Sequence, residues 1–210
     1  MAWKSTALGA VLWAALAVPS WASPGASPAP ALQQMSVDAG SAAQWIVRNR
    51  DHRGWPFAIV DKKTAHLYVF DAAGRLIGAS AVLLGQTPGD ESAPEVGKHA
   101  TQGFVPLSER TTPAGRFVTH PGTNLSGEHI VWVDYESAFA IHRLRPGASY
   151  AAREKRLGSG RTSDHRVSLG CVIAPVAFYT SVVEPVLGRA RSIVYVLPES
   201  GQLRDLFNAM

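Results

Sequence analysis

The chain of 210 residues is 46% hydrophobic and 17% charged, with one cysteine and a formal net charge of +4. This composition supplies a hydrophobic core without disulfide bonds, and a single cysteine excludes a structural zinc site of the multi-thiolate kind. Residues 143–166 hold seven cations against two acids, and the weak charge of the remainder argues against a nucleic-acid-binding protein.

The N-terminus carries the pattern of an export signal. Lys4 precedes an apolar run over 7–18, and a small-x-small pattern suited to signal peptidase ends at Ala22. The run is shorter than the roughly 20 residues of a membrane-spanning helix, and an uncleaved anchor is the alternative. We therefore predict a signal peptide over 1–22 and a Pro/Ala/Ser-rich linker over 23–35. The protein is expected to be exported to the periplasm or cell envelope, with no stable membrane span after cleavage.

The remaining chain shows strand and helix patterns in a regular order. An N-terminal helix with its lead-in is predicted over 36–54, a single unit over 55–199, and a C-terminal tail over 200–210. Strands are predicted at 57–61, 66–70, 76–84, 115–119, 129–135, 139–142 and 192–199. Helices are predicted at 37–50, 148–157 and 175–187. The first three strands, joined by turn-forming residues, predict an antiparallel meander. The expected fold is mainly β with flanking helices, either a β-sandwich or a mixed barrel.

The single cysteine lies in "RVSLGCVIAP", residues 166–175. In an exported protein an unpaired thiol is intermolecular, buried as a small hydrophobic group, or reactive. A short strand is predicted to lead to Gly170, present Cys171, and pass into a helix opened by Pro175. Gly170 lets the backbone approach a substrate, and N–H groups of this turn are candidates to bind an oxyanion. Cys171 is therefore a candidate nucleophile, with the buried free cysteine as the alternative.

A cysteine nucleophile needs a base, and the seven histidines differ in context. His142 ends the apolar run 139–141, where a strand would deliver its side chain to the edge of a sheet. His120, in "THPGTN", is the second candidate, whereas the other five are predicted to lie in loops or to be surface or packing residues. The chain has no His-Glu-x-x-His motif and no His-x-His pair, so we predict no metal and no other cofactor.

These residues together resemble a known signature. A strand that ends in histidine, followed later by Ser-x-Gly-Cys-Val before a helix, resembles the L,D-transpeptidase catalytic domain, a family of cysteine enzymes that cross-link bacterial peptidoglycan. "TTPAGRF", residues 111–117, is similar to the family's Thr-Pro-x-Gly-x-Phe element. Residues 57–85 resemble its opening hairpins, and residues 192–199 resemble its closing strand. The resemblance covers about residues 55–199 and implies the fold of that catalytic domain.

The resemblance implies a role for each matching residue. Cys171 matches the nucleophile, and His142 matches the histidine that deprotonates the thiol and later protonates the leaving amine. Gly170 and Cys171 would supply backbone N–H groups to the oxyanion. Ser168 matches a Ser or Thr that supports the site.

Several features depart from the family pattern. Leu169 stands where many members have a histidine. Arg143 stands where many have Gly or Ser, and Ile173 stands where Asn or Arg is frequent. The two residues of the proposed dyad are separated by 28 residues, which is longer than usual. Residues 143–166 are therefore predicted to form an inserted basic helix or lid. Its cations are expected to favour the thiolate and attract substrate carboxylates, with a solvated basic face as the alternative. The candidate substrate-binding residues are Arg143, Arg166 and His120.

The reaction that the resemblance implies is acyl transfer on peptidoglycan stem peptides. The Cys171 thiolate would attack a stem tetrapeptide, release D-Ala, and pass the acyl group from a thioester to an amine or to water. The amine belongs to another stem peptide or to an envelope protein, and no nucleic-acid partner is expected. One alternative is a carboxypeptidase, endopeptidase or amidase with the same Cys-His dyad. The other is a catalytically silent wall-binding domain.

Overall fold

A computed structural model describes residue 1 and residues 35–208. The predicted signal peptide, apart from its first residue, and the predicted linker up to residue 34 lie outside the described residues. The strands are β1 Phe57–Asp61, β2 His66–Phe70, β3 Leu76–Ala81, β4 Leu84–Gly85, β5 Gly115–Thr123, β6 His129–Asp134, β7 Phe139–Arg143, β8 Arg166–Ser168, β9 Val172–Ala174 and β10 Ser192–Val196.

Eight of these strands form one sheet in the order β3-β2-β1-β10-β5-β6-β7-β9, and β4 pairs with β8. The β1–β10 and β7–β9 pairs are parallel, and the other neighbours in the large sheet are antiparallel. Leu83, just after β3, forms a bridge to Ile173 on β9. Because this bridge joins the two ends of the sheet, the sheet is a nearly closed barrel. The expected fold class, mainly β with flanking helices, is confirmed.

The helices flank this barrel. They are α1 Val37–Asn49, α2 Val96–Thr101, α3 Tyr150–Leu157, α4 Val176–Phe178, α5 Glu184–Leu187 and α6 Leu203–Asn208. A π-helical turn, Tyr179–Val183, joins α4 to α5, so 176–187 is one helical run as predicted. Short 3₁₀ turns lie at Leu107–Glu109 and Thr162–His165. None of the helices in the described part of the chain is both long and apolar enough to span a bilayer.

Two hydrophobic clusters lie on opposite faces of the sheet. One cluster contains alternate residues of most strands and is filled by the 176–187 helical run through Tyr179, Val183 and Leu187. The other covers β1, β2 and β10 with α1, which buries Ala42 and Ile46. The alternation along each strand therefore directs one face to the barrel interior and the other to an outer layer or to solvent.

Residues 200–210 contain a helix where the sequence suggested only a tail. Phe207 of α6 stacks on Trp45 of α1, with ring centroids 4.1 Å apart, and Leu203 and Leu206 pack on the same cluster. The apolar spacing of this short segment is what places it on the outer layer of the fold.

The segment around the cysteine also differs from the sequence prediction. The chain does not pass directly from Cys171 into a helix, because β9 comes first and pairs in parallel with β7. Pro175 then caps the start of α4, as expected. The run Val172–Ala174 is too short to be recognised as a strand from its pattern alone, since three apolar residues fit the start of a buried helix equally well.

Candidate active site

Cys171 lies at a bend between β8 and β9. Gly170 makes this bend possible because its φ of 131° is a conformation that other L-residues rarely adopt, and a Cβ there would lie 3.0 Å from the Thr111 carbonyl oxygen. The Cys171 Sγ lies 3.5 Å from the Ala138 carbonyl oxygen, to which it donates. The thiol is free of any disulfide and is half-buried.

Ser168 closes this bend with two hydrogen bonds. Its Oγ donates to the Cys171 carbonyl oxygen at 2.6 Å and accepts from the Gly170 N–H at 3.1 Å. The side chain is only 2% exposed, so both bonds are protected from water. The Gly170 and Cys171 N–H groups were both predicted to bind an oxyanion. Because the Gly170 N–H already donates to Ser168, the Cys171 N–H remains the candidate.

Thr112 ties the bend to the opposite loop. Its Oγ1 donates to the Gly170 carbonyl oxygen at 2.7 Å and accepts from the Gly85 N–H at 2.9 Å, and the residue is fully buried. The Thr112 carbonyl oxygen in turn accepts from the Nζ of the fully buried Lys62 at 2.9 Å. Thr112 belongs to the "TTPAG" motif, but no local pattern in the sequence predicts its link to Gly170.

The thiol is held in its protonated form. Burial raises the pKa of Cys171, although a backbone hydrogen bond from Ala140 and the positive charge of Arg145 act in the opposite direction. Arg145 of the basic segment thus favours the thiolate, as expected, but desolvation outweighs it in the free protein. A proton acceptor is needed before this thiol can act as a nucleophile.

His142 is the candidate for this acceptor. It lies on β7 opposite Ile173 of β9, and the alternation of side chains places it on the same sheet face as Cys171, two residues before Ile173. Its Nδ1 donates to the Arg143 carbonyl oxygen at 2.8 Å, which leaves Nε2 unprotonated. Among the described residues no hydrogen bond joins this ring to the Cys171 Sγ, as is common in catalytic sites without substrate.

His142 is neutral near physiological pH. The side chain is 8% exposed, and burial together with the positive charge of Arg145 lowers its pKa from 6.5 to about 4. A neutral imidazole with a free Nε2 is able to take a proton from a neutral thiol.

The charged neighbours of His142 form a compact group at the end of β7. Glu128 forms ion pairs with Arg143 and with the Nε of Arg145, the second at 3.1 Å. Arg143 was a predicted substrate-binding residue, and the structure places it beside the dyad with its guanidinium group held by Glu128. Sequence reasoning missed Glu128 and Arg145, since charged residues beside a strand end carry no local signal of a partner on another strand.

The other two predicted substrate-binding residues lie elsewhere. The guanidinium group of Arg166 contacts Glu199 at 2.5 Å and the Lys62 carbonyl oxygen at 3.1 Å, and its side chain is 12% exposed. This Arg166 contact joins β8 to the segment after β10. His120 is exposed on β5, and β6 separates it from the strand of His142. The structure therefore brings Cys171, His142, Ser168, Gly170 and Arg143 together, and shows no contact of Arg166 or His120 with the dyad.

A small cleft opens beside the bend. It is lined by Ser92, Val96, Thr111, Pro113, Ser137, Ala138, Phe139, Leu169 and Gly170. Leu169 is 50% exposed at this cleft, where many members of the resembling family have a histidine. Within residues 35–208, no group of three or more His, Cys, Asp or Glu side chains is arranged to hold a metal ion.

The inserted segment carries α3, which packs beside the site. Tyr150 and Leu157 pack against the cluster formed by Leu83, Leu144 and Ile173, and Ile173 is the residue paired with His142. A closing motion of this helix over the cleft stays a prediction.

Comparison with known proteins gives structural likenesses only. No protein-family model and no curated protein sequence matches the chain. An L,D-transpeptidase from Enterococcus faecium is 18% identical, with a TM-score of 0.38, over 67% of this chain and 49% of its own. The helical cell shape determining protein Pgp2 from Campylobacter jejuni is 14% identical, with a TM-score of 0.45, over 73% of this chain and 54% of its own.

A third solved structure is a fused Zn-dependent amidase/peptidase/peptidoglycan-binding domain-containing protein from Clostridium acetobutylicum. It is 15% identical, with a TM-score of 0.38, over 81% of this chain and 63% of its own. The chain thus spans between about half and two thirds of the length of these structures. Identities this low and TM-scores below 0.5 give no basis for a functional assignment, which must come from the site.

Proposed function

We propose that this chain is a cysteine acyltransferase of the L,D-transpeptidase type that acts on peptidoglycan stem peptides. The observation that carries the proposal is that Cys171 and His142 lie on one sheet face. The Nδ1–H of His142 donates a hydrogen bond to the Arg143 carbonyl oxygen, which leaves Nε2 free. The thiol stands at a glycine bend beside a cleft, which is where a nucleophile meets a carbonyl carbon. The order of sequence motifs around these residues supports the same reaction class.

The first half of the reaction forms a thioester. His142 Nε2 takes the Cys171 proton, and the sulfur attacks the carbonyl carbon that precedes the terminal D-Ala of a stem tetrapeptide. The Cys171 N–H donates to the oxyanion of the tetrahedral intermediate. The carbon–nitrogen bond then breaks, the imidazolium gives its proton to the leaving amine, and D-Ala departs.

The second half transfers the acyl group. An amine attacks the thioester carbon, His142 accepts the amine proton, and the Cys171 sulfur leaves and is reprotonated by His142. If the amine belongs to a neighbouring stem peptide, the product is a cross-link. If water takes its place, the enzyme is a carboxypeptidase. The acceptor is therefore decided by how well the cleft excludes water.

Charge around the dyad suits a substrate with carboxylate groups. Arg143, Arg145 and Arg153 lie near His142, and Glu128 is the carboxylate that opposes them there. Peptidoglycan stem peptides end in a carboxylate, and an excess of guanidinium groups attracts and orients such a ligand. The proposal places the protein in the periplasm or cell envelope, where this substrate occurs.

The proposal is tested by mass spectrometry of the protein incubated with purified disaccharide-tetrapeptide. We expect an acyl adduct on Cys171 with loss of D-Ala, followed by dimeric muropeptide, and no adduct in Cys171→Ala. His142→Ala should form the adduct at least about a hundredfold more slowly, as expected for loss of a general base. His66→Ala, which alters a histidine on β2 whose ring bonds to the neighbouring Thr64 carbonyl oxygen, is the matched control and should react as the unaltered protein does.

Three outcomes separate the alternatives. Dimeric product supports transpeptidation, and an adduct that yields only tripeptide supports a hydrolase that uses the same dyad. If no adduct forms and a small alkylating reagent also fails to modify the thiol, Cys171 is a packing residue. The result would then favour a catalytically silent wall-binding domain over an enzyme.

A further inference from the structure

The peptide group between Gly170 and Cys171 carries the N–H that the proposed reaction needs. A trans peptide is planar, so its C=O and its N–H point in opposite directions. The direction of the Gly170 carbonyl therefore fixes the direction of the Cys171 N–H. This N–H makes no hydrogen bond to any described residue, and Gly170 lines the cleft. The Cys171 N–H is thus free to donate to a ligand, provided that the peptide keeps its orientation.

Thr112 holds the carbonyl end of this peptide. Its Oγ1 donates to the Gly170 carbonyl oxygen at 2.7 Å and accepts from the Gly85 N–H at 2.9 Å. The two partners decide the polarity of the hydroxyl group, because an N–H only donates and a carbonyl oxygen only accepts. The single hydroxyl proton is therefore committed to the Gly170 carbonyl oxygen. Because Thr112 is fully buried, solvent does not compete for that proton.

Gly170 is the residue that allows this peptide to turn over. Its φ of 131° is a conformation that residues with a Cβ rarely adopt, and a glycine gives little steric resistance to rotation of the adjoining peptide plane. In the turned peptide the Cys171 N–H would point toward Thr112, and the carbonyl would point toward the cleft. The Thr112 hydroxyl would then face two N–H donors and lose the acceptor of its own proton, which is unfavourable in a buried site. The hydroxyl therefore selects the orientation that presents the Cys171 N–H to the cleft.

The position of Thr112 is itself fixed by its backbone. Its carbonyl oxygen accepts from the Nζ of Lys62 at 2.9 Å, and this fully buried lysine pairs with Asp90 at 2.7 Å. The backbone of residues 111–112 also lies directly behind the bend, since a Cβ on Gly170 would be 3.0 Å from the Thr111 carbonyl oxygen. The Thr112 hydroxyl is therefore a fixed point against which the peptide is held.

We propose that Thr112 is a positioning residue, which holds the Gly170–Cys171 peptide so that the Cys171 N–H points to the developing oxyanion. Thr112 makes no hydrogen bond to the thiol, so it acts through the Gly170 carbonyl. Its consequence for peptidoglycan chemistry rests on the proposed function, whereas its effect on acylation of Cys171 by any reagent does not.

Two small reagents separate this role from a general loss of structure. p-Nitrophenyl acetate acetylates the thiol through a tetrahedral oxyanion: the sulfur–carbon bond forms, the bond to p-nitrophenolate breaks, and the thiol proton passes to the base and then to solvent. Iodoacetamide alkylates the thiol by displacing iodide from a saturated carbon, with the same loss of the thiol proton and no oxyanion. The ratio of the two rate constants therefore reports the oxyanion donor, and access to the thiol and its ionisation cancel.

In Thr112→Val we expect acetylation of Cys171 to slow about tenfold relative to alkylation, because a donor removed outright costs about 10²–10³-fold and a donor misdirected in part of the molecules costs less. Thr112→Ser keeps the hydroxyl group and should restore the ratio of the unaltered protein. Thr119→Val is the matched control. This fully buried threonine also donates to a backbone carbonyl oxygen, that of Ser192, but its strand β5 is separated from β7 by β6. Its ratio should not change.

A crystal structure of the unaltered protein acetylated at Cys171 tests the geometry without any variant, and it decides the matter should Thr112→Val not fold. We expect the acetyl carbonyl oxygen to lie about 3 Å from the Cys171 nitrogen, with the Thr112 Oγ1 still bonded to the Gly170 carbonyl oxygen. The proposal is overturned if that peptide is turned over or if the acetyl oxygen binds elsewhere. It is equally overturned if Thr112→Val has the ratio of the unaltered protein.

The outcomes also separate this role from the proposed function. If iodoacetamide modifies the thiol and p-nitrophenyl acetate does not, no oxyanion site operates and the positioning role fails. If neither reagent modifies the thiol, Cys171 is a packing residue and both proposals fail. If acetylation depends on Thr112 as expected but disaccharide-tetrapeptide gives no adduct, the positioning role stands and the proposed function fails.

Discussion

The low pKa of His142 makes the stability of the fold depend on pH. His142 is 8% exposed, and its folded-state pKa of about 4 lies below the ordinary value of 6.5. Between these two values the unfolded chain binds a proton that the folded chain does not. This contribution to stability is therefore complete above about pH 6.5 and is lost as the pH falls toward about pH 4.

The size of the effect follows from the two pKa values. At about pH 5 nearly all unfolded chains carry the proton at this histidine, whereas about a tenth of folded chains do, which corresponds to about 2 kcal/mol of lost stability. In His142→Gln no proton is bound in either state, so this part of the pH dependence should vanish. We expect the loss between about pH 7 and about pH 5 to be smaller in His142→Gln than in the unaltered protein by that amount.

Urea denaturation at the two pH values, followed by circular dichroism, measures this difference. The carboxylate groups are the same in both proteins, so their contributions to the pH dependence of the free energy of unfolding cancel in the comparison. His120→Gln is the matched control, because this histidine is exposed on β5 and its replacement should leave the pH dependence as it is. Equal stability losses in the unaltered protein and in His142→Gln would refute a buried, neutral His142.

Three further changes test the supports of the site and of the fold. Thr112→Val leaves two buried backbone groups without partners and should cost about 3 kcal/mol by urea denaturation. Thr111→Val is the control, because the Thr111 hydroxyl makes no hydrogen bond to any described residue, and it should cost under about 1 kcal/mol. Gly97→Ala places a methyl group against the Glu136 carbonyl oxygen and should lower the melting temperature of the protein by several degrees. Trp45→Ala removes the stack that holds α6 and should expose residues 203–208 to limited proteolysis.

The fold was predictable where the sequence pattern is long and local. The meander at 57–84, the helix at 37–50 and the helical run at 175–187 follow from alternation, turn residues and apolar periodicity, and the structure has them within a few residues. The bridge between Leu83 and Ile173, which nearly closes the barrel, joins residues far apart in the chain. No local pattern specifies such a pairing, so closure was visible only in the structure.

The site divides in the same way. Cys171 and His142 could be proposed from the sequence because the chain has one cysteine and because the immediate neighbours of both residues are informative. The contacts of Thr112 and Glu128 were missed, because a threonine in a turn motif and a glutamate in a hairpin are ordinary residues until their partners are known. Arg166 was proposed because it is close to the nucleophile in sequence; the structure pairs it with Glu199, and its role in substrate binding stays a prediction.

The charge state of the dyad links this fold to the proposed chemistry. Cys171 and His142 are both neutral near pH 7, because burial disfavours the charged form of each. Attack on a carbonyl therefore requires the thiol proton to reach His142 in the substrate complex, where negative charge develops on the oxyanion. Arg145 and Arg153 disfavour the imidazolium in the free protein, and a substrate carboxylate is the kind of group that would offset them. On the proposed function, binding of an acidic stem peptide both orients the donor and raises the basicity of His142, so that a basic insertion beside the base becomes an advantage only when substrate is present.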